Sequence, residues 1–138
     1  VDPRQDQSEQ GLSREERVRR AADFDHAFKE GSWGNHSVLR VRLCRNGLAF
    51  TRMGVSVGRR SGNAIARNLI KRRFREAFRH LKHELPLGLD LILSPSRHTR
   101  CPSYAAVLAE LPSLVERTLK QHDGFLKRRR KRRNGSEG

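Results

Sequence analysis

GNAIARNLIKRRFREAFRH, residues 62–80, is the stretch on which the reading of the whole chain turns. At about 100° per residue, Ala66, Leu69, Ile70, Phe74, Ala77, Phe78 and Leu81 gather on one broad face. Asn68, Lys71, Arg72, Arg75 and Arg79 gather on the opposite arc, with Arg67 and Arg73 near its edges. The spacing predicts a helix from about Ala64 to His83, ended by Pro86 and Gly88. One side is built for a core and the other is cationic. Between Arg59 and Lys82 there are nine Lys/Arg and one acid, Glu76. Solvated faces ordinarily mix signs, and like charges at i,i+4, such as Lys71 and Arg75, cost about a few tenths of a kcal/mol in an isolated helix. A bound polyanion offsets that cost. Arg offers phosphate a planar fork and Asn orients a polar group, so the helix reads as a phosphate-binding surface. Charge alone does not separate RNA from DNA, since a recognition helix has the same ingredients.

The flanks extend the pattern. GRRSGN, residues 58–63, is a loop that adds Arg59, Arg60 and Asn63 to the basic surface. SVLRVRL, residues 37–43, alternates: Leu39, Val41 and Leu43 point one way, Val38, Arg40 and Arg42 the other. Asn46-Gly47 predicts a hairpin turn into a second strand at 48–57. There Met53, Val55 and Val57 face the core, with Arg52 and Ser56 opposite. Upstream, Phe24 and Phe28 are four apart and share one face of a helix around 15–29. Gly31 and Gly34 then break the pattern. LDLIL, residues 89–93, is a short apolar run bounded by turn signals and reads as a central strand. Ser103 caps a last helix to about Gln121, with Tyr104, Val107, Leu108, Leu111, Val115 and Leu119 inward and Pro112 a kink or break. Helix, strands, helix, strand, helix describes a single α+β sandwich.

With 138 residues, one domain with a modest core is the expectation. The net charge is +15, and KRRRKRR at 127–133 holds seven of the thirty Lys/Arg. The remainder is still strongly basic, which points to nucleic acid as partner. Polar composition predicts a disordered tail at 1–11, a domain at 12–121 and a disordered basic tail at 122–138. Two cysteines, Cys44 and Cys101, form no CxxC and read as structural thiols in a reducing compartment. No long apolar run occurs, so a cytoplasmic protein without membrane association is expected. No catalytic constellation stands out. His80 and His83 are i,i+3, but no acid or Cys pair joins them, and no metal site is expected.

Several of these stretches resemble one family. GNAIARNLIKRRFREAFR is similar to the so-called RNR signature of the bacterial ribonuclease P protein subunit, with Gly62, Ala64, Arg67, Asn68, Lys71, Arg72, Arg75 and Glu76 at the family's offsets. RMGVSVGRR, RVRRAADFDHAFKEG and LPLGLDLILSPSR resemble its strand and loop, its N-terminal helix and its later strand, so the likeness spans about residues 12–121. It implies a ribosomal-protein-S5-domain-2-like fold, with the basic helix in a left-handed βαβ crossover against the general right-handed rule. It also implies a subunit of a ribonucleoprotein endonuclease that removes the 5′ leader of precursor tRNA. In that picture the RNA subunit carries the active site and the Mg²⁺ ions, and the protein needs no cofactor and no catalytic residue of its own.

The expected partners are the ribonuclease P RNA and precursor tRNA, with no DNA. Arg59, Arg60, Asn63, Arg67, Asn68, Lys71, Arg72 and Arg75 are the expected RNA-binding set. Phe24, Phe28, Val38, Arg40, Arg42 and Ser56 are expected to line a leader cleft between the sheet and the N-terminal helix. Arg40 stands where the family often carries an aromatic, which removes one stacking wall from that strand. Competing readings are an RNA-binding protein with no enzyme attached, a DNA-binding regulator and an autonomous nuclease.

Overall fold

The structure, a computed structural model, describes residues 12–136, with side chains as far as Lys131. In chain order the elements are α1 (Ala21–Glu30), β1 (Ser32–Asn35), β2 (Leu39–Arg45), β3 (Arg52–Val55), α2 (Ala64–Leu81), β4 (Leu89–Pro95) and α3 (Tyr104–Ser136). Short 3-10 turns lie at Arg14–Glu16 and Arg59–Ser61. The strands form one sheet in the order β1-β2-β4-β3, with β4 antiparallel to β2 and parallel to β3. This is the α+β sandwich that the element order predicts. The expected tail at 1–11 lies outside the described residues.

One face of the sheet carries the main core. Leu39, Val41 and Leu43 of β2, Met53 of β3 and Leu89, Leu91 and Leu93 of β4 pack against Ile70, Phe74 and Phe78 of α2 and Val107, Leu111 and Val115 of α3. Burying each such side chain contributes about 1.5–3 kcal/mol, which is why period 2 on the strands and period 3.6 on the helices agree on one interior. Leu69, expected on that interior, is instead largely exposed, as is Ile65. The first turns of α2 run past the edge of the core.

The hand of the β3–α2–β4 unit follows from one hydrogen bond. Ser56 N–H donates to Leu93 C=O, so the polar backbone edge of Leu93 faces β3 while its side chain points into the α2 layer. For an L residue those two directions place β3 to the right of β4, seen from the helices with both strands running upward. The crossover is therefore left-handed, the exception that the family resemblance implies.

Three expectations are corrected. The Asn46-Gly47 turn makes no β2–β3 hairpin, because β4 lies between the two strands. Gly47 does take the positive φ of a turn. Asn46, however, ties the loop across the end of β4, its Nδ2 donating to Leu89 O and Asp90 Oδ1 at 3.0 Å. Second, the Gly31–Gly34 break is an edge strand, β1. Gly34 is needed there because α3 crosses directly above it; a Cβ would sit 1.9 Å from Thr118 Oγ1. Third, the tail expected to be disordered from residue 122 continues α3 to Ser136, and the helix also runs through Pro112. His122 is buried with Nδ1 2.7 Å from Ser32 Oγ, and Asp123 accepts from Arg45 Nη2 at 2.7 Å.

The other sheet face is only half covered. Val18, Phe24 and Ala27 pack over Cys44 and Ile92, holding α1 against β2 and β4. Beneath them Arg52 forms a two-pronged pair with buried Asp90, Nε–Oδ1 2.8 Å and Nη2–Oδ2 2.6 Å, and reaches Asp23 at 3.4 Å. That arginine is neutralised within the fold. Burial, with the Asp90 charge behind it, pushes the Cys44 thiol up to about 11, so it is an inert thiol. Cys101, in contrast, is exposed.

Candidate nucleic-acid interface

Where α1 stops, the sheet face opens into a cleft of about 330 Å³ between Phe28 and Trp33 on one side and Arg60 and Arg97 on the other. Arg40, Arg42 and Ser94 form part of its floor and Ser56 its rim. The alternation of β2 puts Arg40 and Arg42 there. Trp33 pairs with Arg42 in the β1–β2 register, so it projects on the same face. Both guanidinium carbons lie 4.2 Å from its ring centroid. Phe28 stands 6.2 Å from Trp33, tilted by 42°. Phe28 and Trp33 are each 37% exposed, and both line the cleft.

The two arginines differ in availability. Arg42 Nε donates to Ala27 O at 3.1 Å and Nη2 to Phe28 O, closing the carbonyl end of α1. Burial pushes its pKa down, and the like charge of Arg40 adds to that. Arg40 has a buried Nε with no hydrogen-bond partner among the described residues. That Nε is enclosed and out of a ligand's reach; what favours an anion in the open cleft is two neighbouring cations of like charge, Arg40 and Arg42, lining it together.

The expected cleft residues thus separate. Phe28, Arg40, Arg42 and Ser56 line it. Phe24 lies in the small core under α1, its ring filling the space where a Cβ on Gly54 would meet it at 2.9 Å. Val38 precedes β2 and packs on the helix-side core, away from Arg40 and Arg42. Trp33 is the residue that the sequence reading missed; the available signal was the chain's single Trp, set between two glycines that masked its strand.

On α2 the cationic arc is a ridge with a groove on each side. Lys71 and Arg75 line a groove of about 370 Å³ with Arg17, Arg19, Phe24 and Val55. Burial pushes the Arg75 pKa down, with Arg17 contributing. Arg72 lines the other groove, with Arg73, Glu76, His80 and Tyr104. Arg73 Nη1 donates to Pro102 O at 3.0 Å, and Arg79 pairs with Glu76 at 3.2 Å. Asn68 and Arg72 are exposed, and half-buried Arg67 has an Nε without a hydrogen-bond partner among the described residues. Asn63 caps the helix, its Oδ1 accepting from Ala66 N–H at 3.0 Å. Gly62, at φ 123°, makes the sharp entry to that cap. Arg59 is exposed, and Arg60 Nη2 donates to Ser96 O at the cleft wall. Among the described residues no group of three or more His, Cys, Asp or Glu could hold a metal ion. No helix there is long and apolar enough to cross a membrane.

The sequence profile of the family described as Ribonuclease P matches residues 12–119. The chain belongs to the ribonuclease P protein family. The ribonuclease P protein component of Thermotoga petrophila is 38% identical over 88 residues, 64% of this chain and 75% of that protein. Among solved structures, the RNase P protein from Thermotoga maritima superposes with TM-score 0.68 at 33% identity, covering 74% of this chain and 96% of the other. The RNase P protein of Staphylococcus aureus gives TM-score 0.65 at 28% identity, covering 73% and 93%. The protein accordingly has a role in ribonuclease P and in tRNA processing, as a partner of the ribonuclease P RNA. The matched residues contain the cleft and the α2 ridge. They end before the last turns of α3.

Proposed function

We propose that this chain binds the ribonuclease P RNA through the α2 ridge and the Arg59–Asn63 loop, and grips the single-stranded 5′ leader of precursor tRNA in the cleft. The observation that carries the reading is the cleft itself, which sets two partly exposed aromatic residues beside the neighbouring cations Arg40 and Arg42. Single strands are held by such a combination: every base has a face to stack, and cations track the phosphates. Ring and charge together tolerate many leader sequences. The ridge, with cations facing grooves on both sides, suits the irregular phosphate surface of a folded RNA.

Hydrolysis of the leader phosphodiester falls to the RNA subunit and the Mg²⁺ it binds. The protein contributes position and charge. Cations on both surfaces lower the repulsion between two polyanions, and their effect is greatest at low salt and low Mg²⁺. Cleavage of a precursor tRNA at low Mg²⁺, with a bacterial ribonuclease P RNA and with or without this protein, tests the reading. Strong stimulation that requires the RNA is expected. Cleavage by the protein alone, or no stimulation with an RNA it binds tightly, overturns it.

A further inference from the structure

The last turns of α3 form a second cationic surface, outside the residues that the family match covers. The helix is pinned as it leaves the sheet. Thr118 lies over Gly34, His122 meets Ser32 at 2.7 Å, and Arg45 grips Asp123 with both Nε (3.1 Å) and Nη2 (2.7 Å). One further point of attachment is Arg129 to Glu30 at the end of α1, 3.8 Å. Residues 122 and 129 are seven apart and return to the same side of a helix. Lys127, Arg128, Arg130 and Lys131 therefore occupy the outward half, and all four are exposed.

Asp123 is the last acid before Glu137, so no counter-charge follows on the helix itself within those turns. Consecutive cations repel one another and disfavour an isolated helix. Here the inner side is latched, and the outward half offers only cations. A helix that lies on a membrane needs an apolar face for the lipid, and Lys127, Arg128, Arg130 and Lys131 leave none on that half. Phe125, 47% exposed, stands four residues before Arg129 and so lies on the latched side, which leaves an outward row of cations for a phosphodiester backbone to match.

We propose that the α3 extension is a docked RNA-phosphate-binding arm, separate from the α2 ridge. The separation is geometric. β1 and β3 are opposite edges of the sheet; α2 packs on β3 and on α3, while the last turns of α3 leave beside β1 and the end of α1. A phosphate bound on the ridge is therefore not one bound by the arm. The arm stands at the edge that also carries Trp33, so it serves RNA entering from that side of the cleft. This rests on the proposed RNA-binding function, and the phosphates belong either to the RNA subunit or to precursor tRNA.

The test compares the full chain, a chain ending at Leu126, and Leu126→Pro, which keeps every charge but removes a helix hydrogen bond. Affinity for the ribonuclease P RNA, and affinity of the assembled enzyme for precursor tRNA, are each measured over a potassium chloride series. Truncation is expected to weaken one of the two at least tenfold and to lower its salt slope by roughly three units or more. Which of the two changes identifies the source of the phosphates. Leu126→Pro is expected to lose most of the same affinity. Unchanged affinity and slope for both RNAs overturn the arm. Full affinity in Leu126→Pro overturns its docked geometry, leaving a flexible polycation. Arm-dependent binding to phosphatidylserine vesicles, with both RNA affinities unchanged, assigns it to a membrane and overturns the proposal. Leader cleavage by saturating truncated protein is expected to persist; its absence for the full chain as well would instead strike that underlying function.

Discussion

The Arg40 guanidinium carbon lies 4.2 Å from the Trp33 ring centroid, across the β1–β2 pair. Trp33, on the edge strand, supplies a ring to the cleft that Arg40 also lines. Cation and ring hold each other in place, which limits the entropy lost when a base stacks there. Trp33→Ala is expected to weaken leader binding by about 5- to 150-fold, the range that about 1–3 kcal/mol per stacked base implies. Trp33→Phe is expected to recover most of it. The check is affinity for precursor tRNA with a long leader against mature tRNA; a loss equal for both would remove Trp33 from the leader path.

Lys71, Arg72 and Arg75 face grooves on both sides of α2. Their combined replacement by Ala is expected to reduce affinity for the ribonuclease P RNA and to lower the salt slope by about one unit per lost phosphate contact. Fold stability should hold or rise, since like-charge repulsion is relieved. Binding isotherms at several salt concentrations, beside a thermal melt, decide this. A slope that does not move would exclude the ridge as a phosphate binder.

Asp90 is 2% exposed and accepts from both Arg52 and Asn46. Asp90→Ala leaves a guanidinium half-buried without its partner, and breaking such a pair costs about 3–5 kcal/mol. Urea denaturation should show that loss. Leader cleavage at a temperature where the variant stays folded should be near normal, because the pair lies under α1 and not in the cleft.

His122 is held below its ordinary pKa of 6.5 by burial, with Asp123 opposing and Arg45 adding to the shift. Asp123 is held below the usual carboxylate range by its hydrogen bonds from Arg45. Both groups take up protons more readily in the unfolded chain. Their contribution to docking α3 is therefore full above about pH 6.5, and falls as the solution is acidified through the lowered His122 value and then that of Asp123. Hydrogen exchange of the amides around His122, corrected for intrinsic rates, should show protection falling as the pH drops below about 6.5. His122→Gln should flatten the upper part of that profile. An unchanged profile would place the pH sensitivity elsewhere.

Two helices and the central strand were legible in the chain because their periodicity is strong and local. The 3.6-residue pattern of α2 and the apolar run of β4 need no distant partner to be read. The cationic arc was legible for the same reason: a helix displays its sequence as faces. Edge strand β1 was not legible. It has four residues, and the glycine that interrupts its pattern is there because Thr118, far along the chain, crosses above it. The Asn46-Gly47 turn was a true turn with the wrong consequence, since β4, remote in sequence, inserts between β2 and β3. Val38 and Phe24 were placed by local alternation and helical spacing, but Val38 packs on the helix-side core, and Phe24 packs on the small core while lining the groove with Lys71 and Arg75.

Sequence alone determined which segments are amphipathic, where the charge lies and which family signature they compose, because those are properties of neighbours in the chain. Only the tertiary structure decided which cations are free. Arg52 is consumed by Asp90 and Arg42 by the carbonyl end of α1, while Arg59 and Arg72 stand exposed. The basic end of α3, which composition marks as a flexible tail, is instead held as a helix by contacts from Ser32, Arg45 and Glu30. The reason is the same throughout. Whether a charge is solvated, paired or poised depends on what the fold brings within a few ångströms of it, and those groups are remote in sequence.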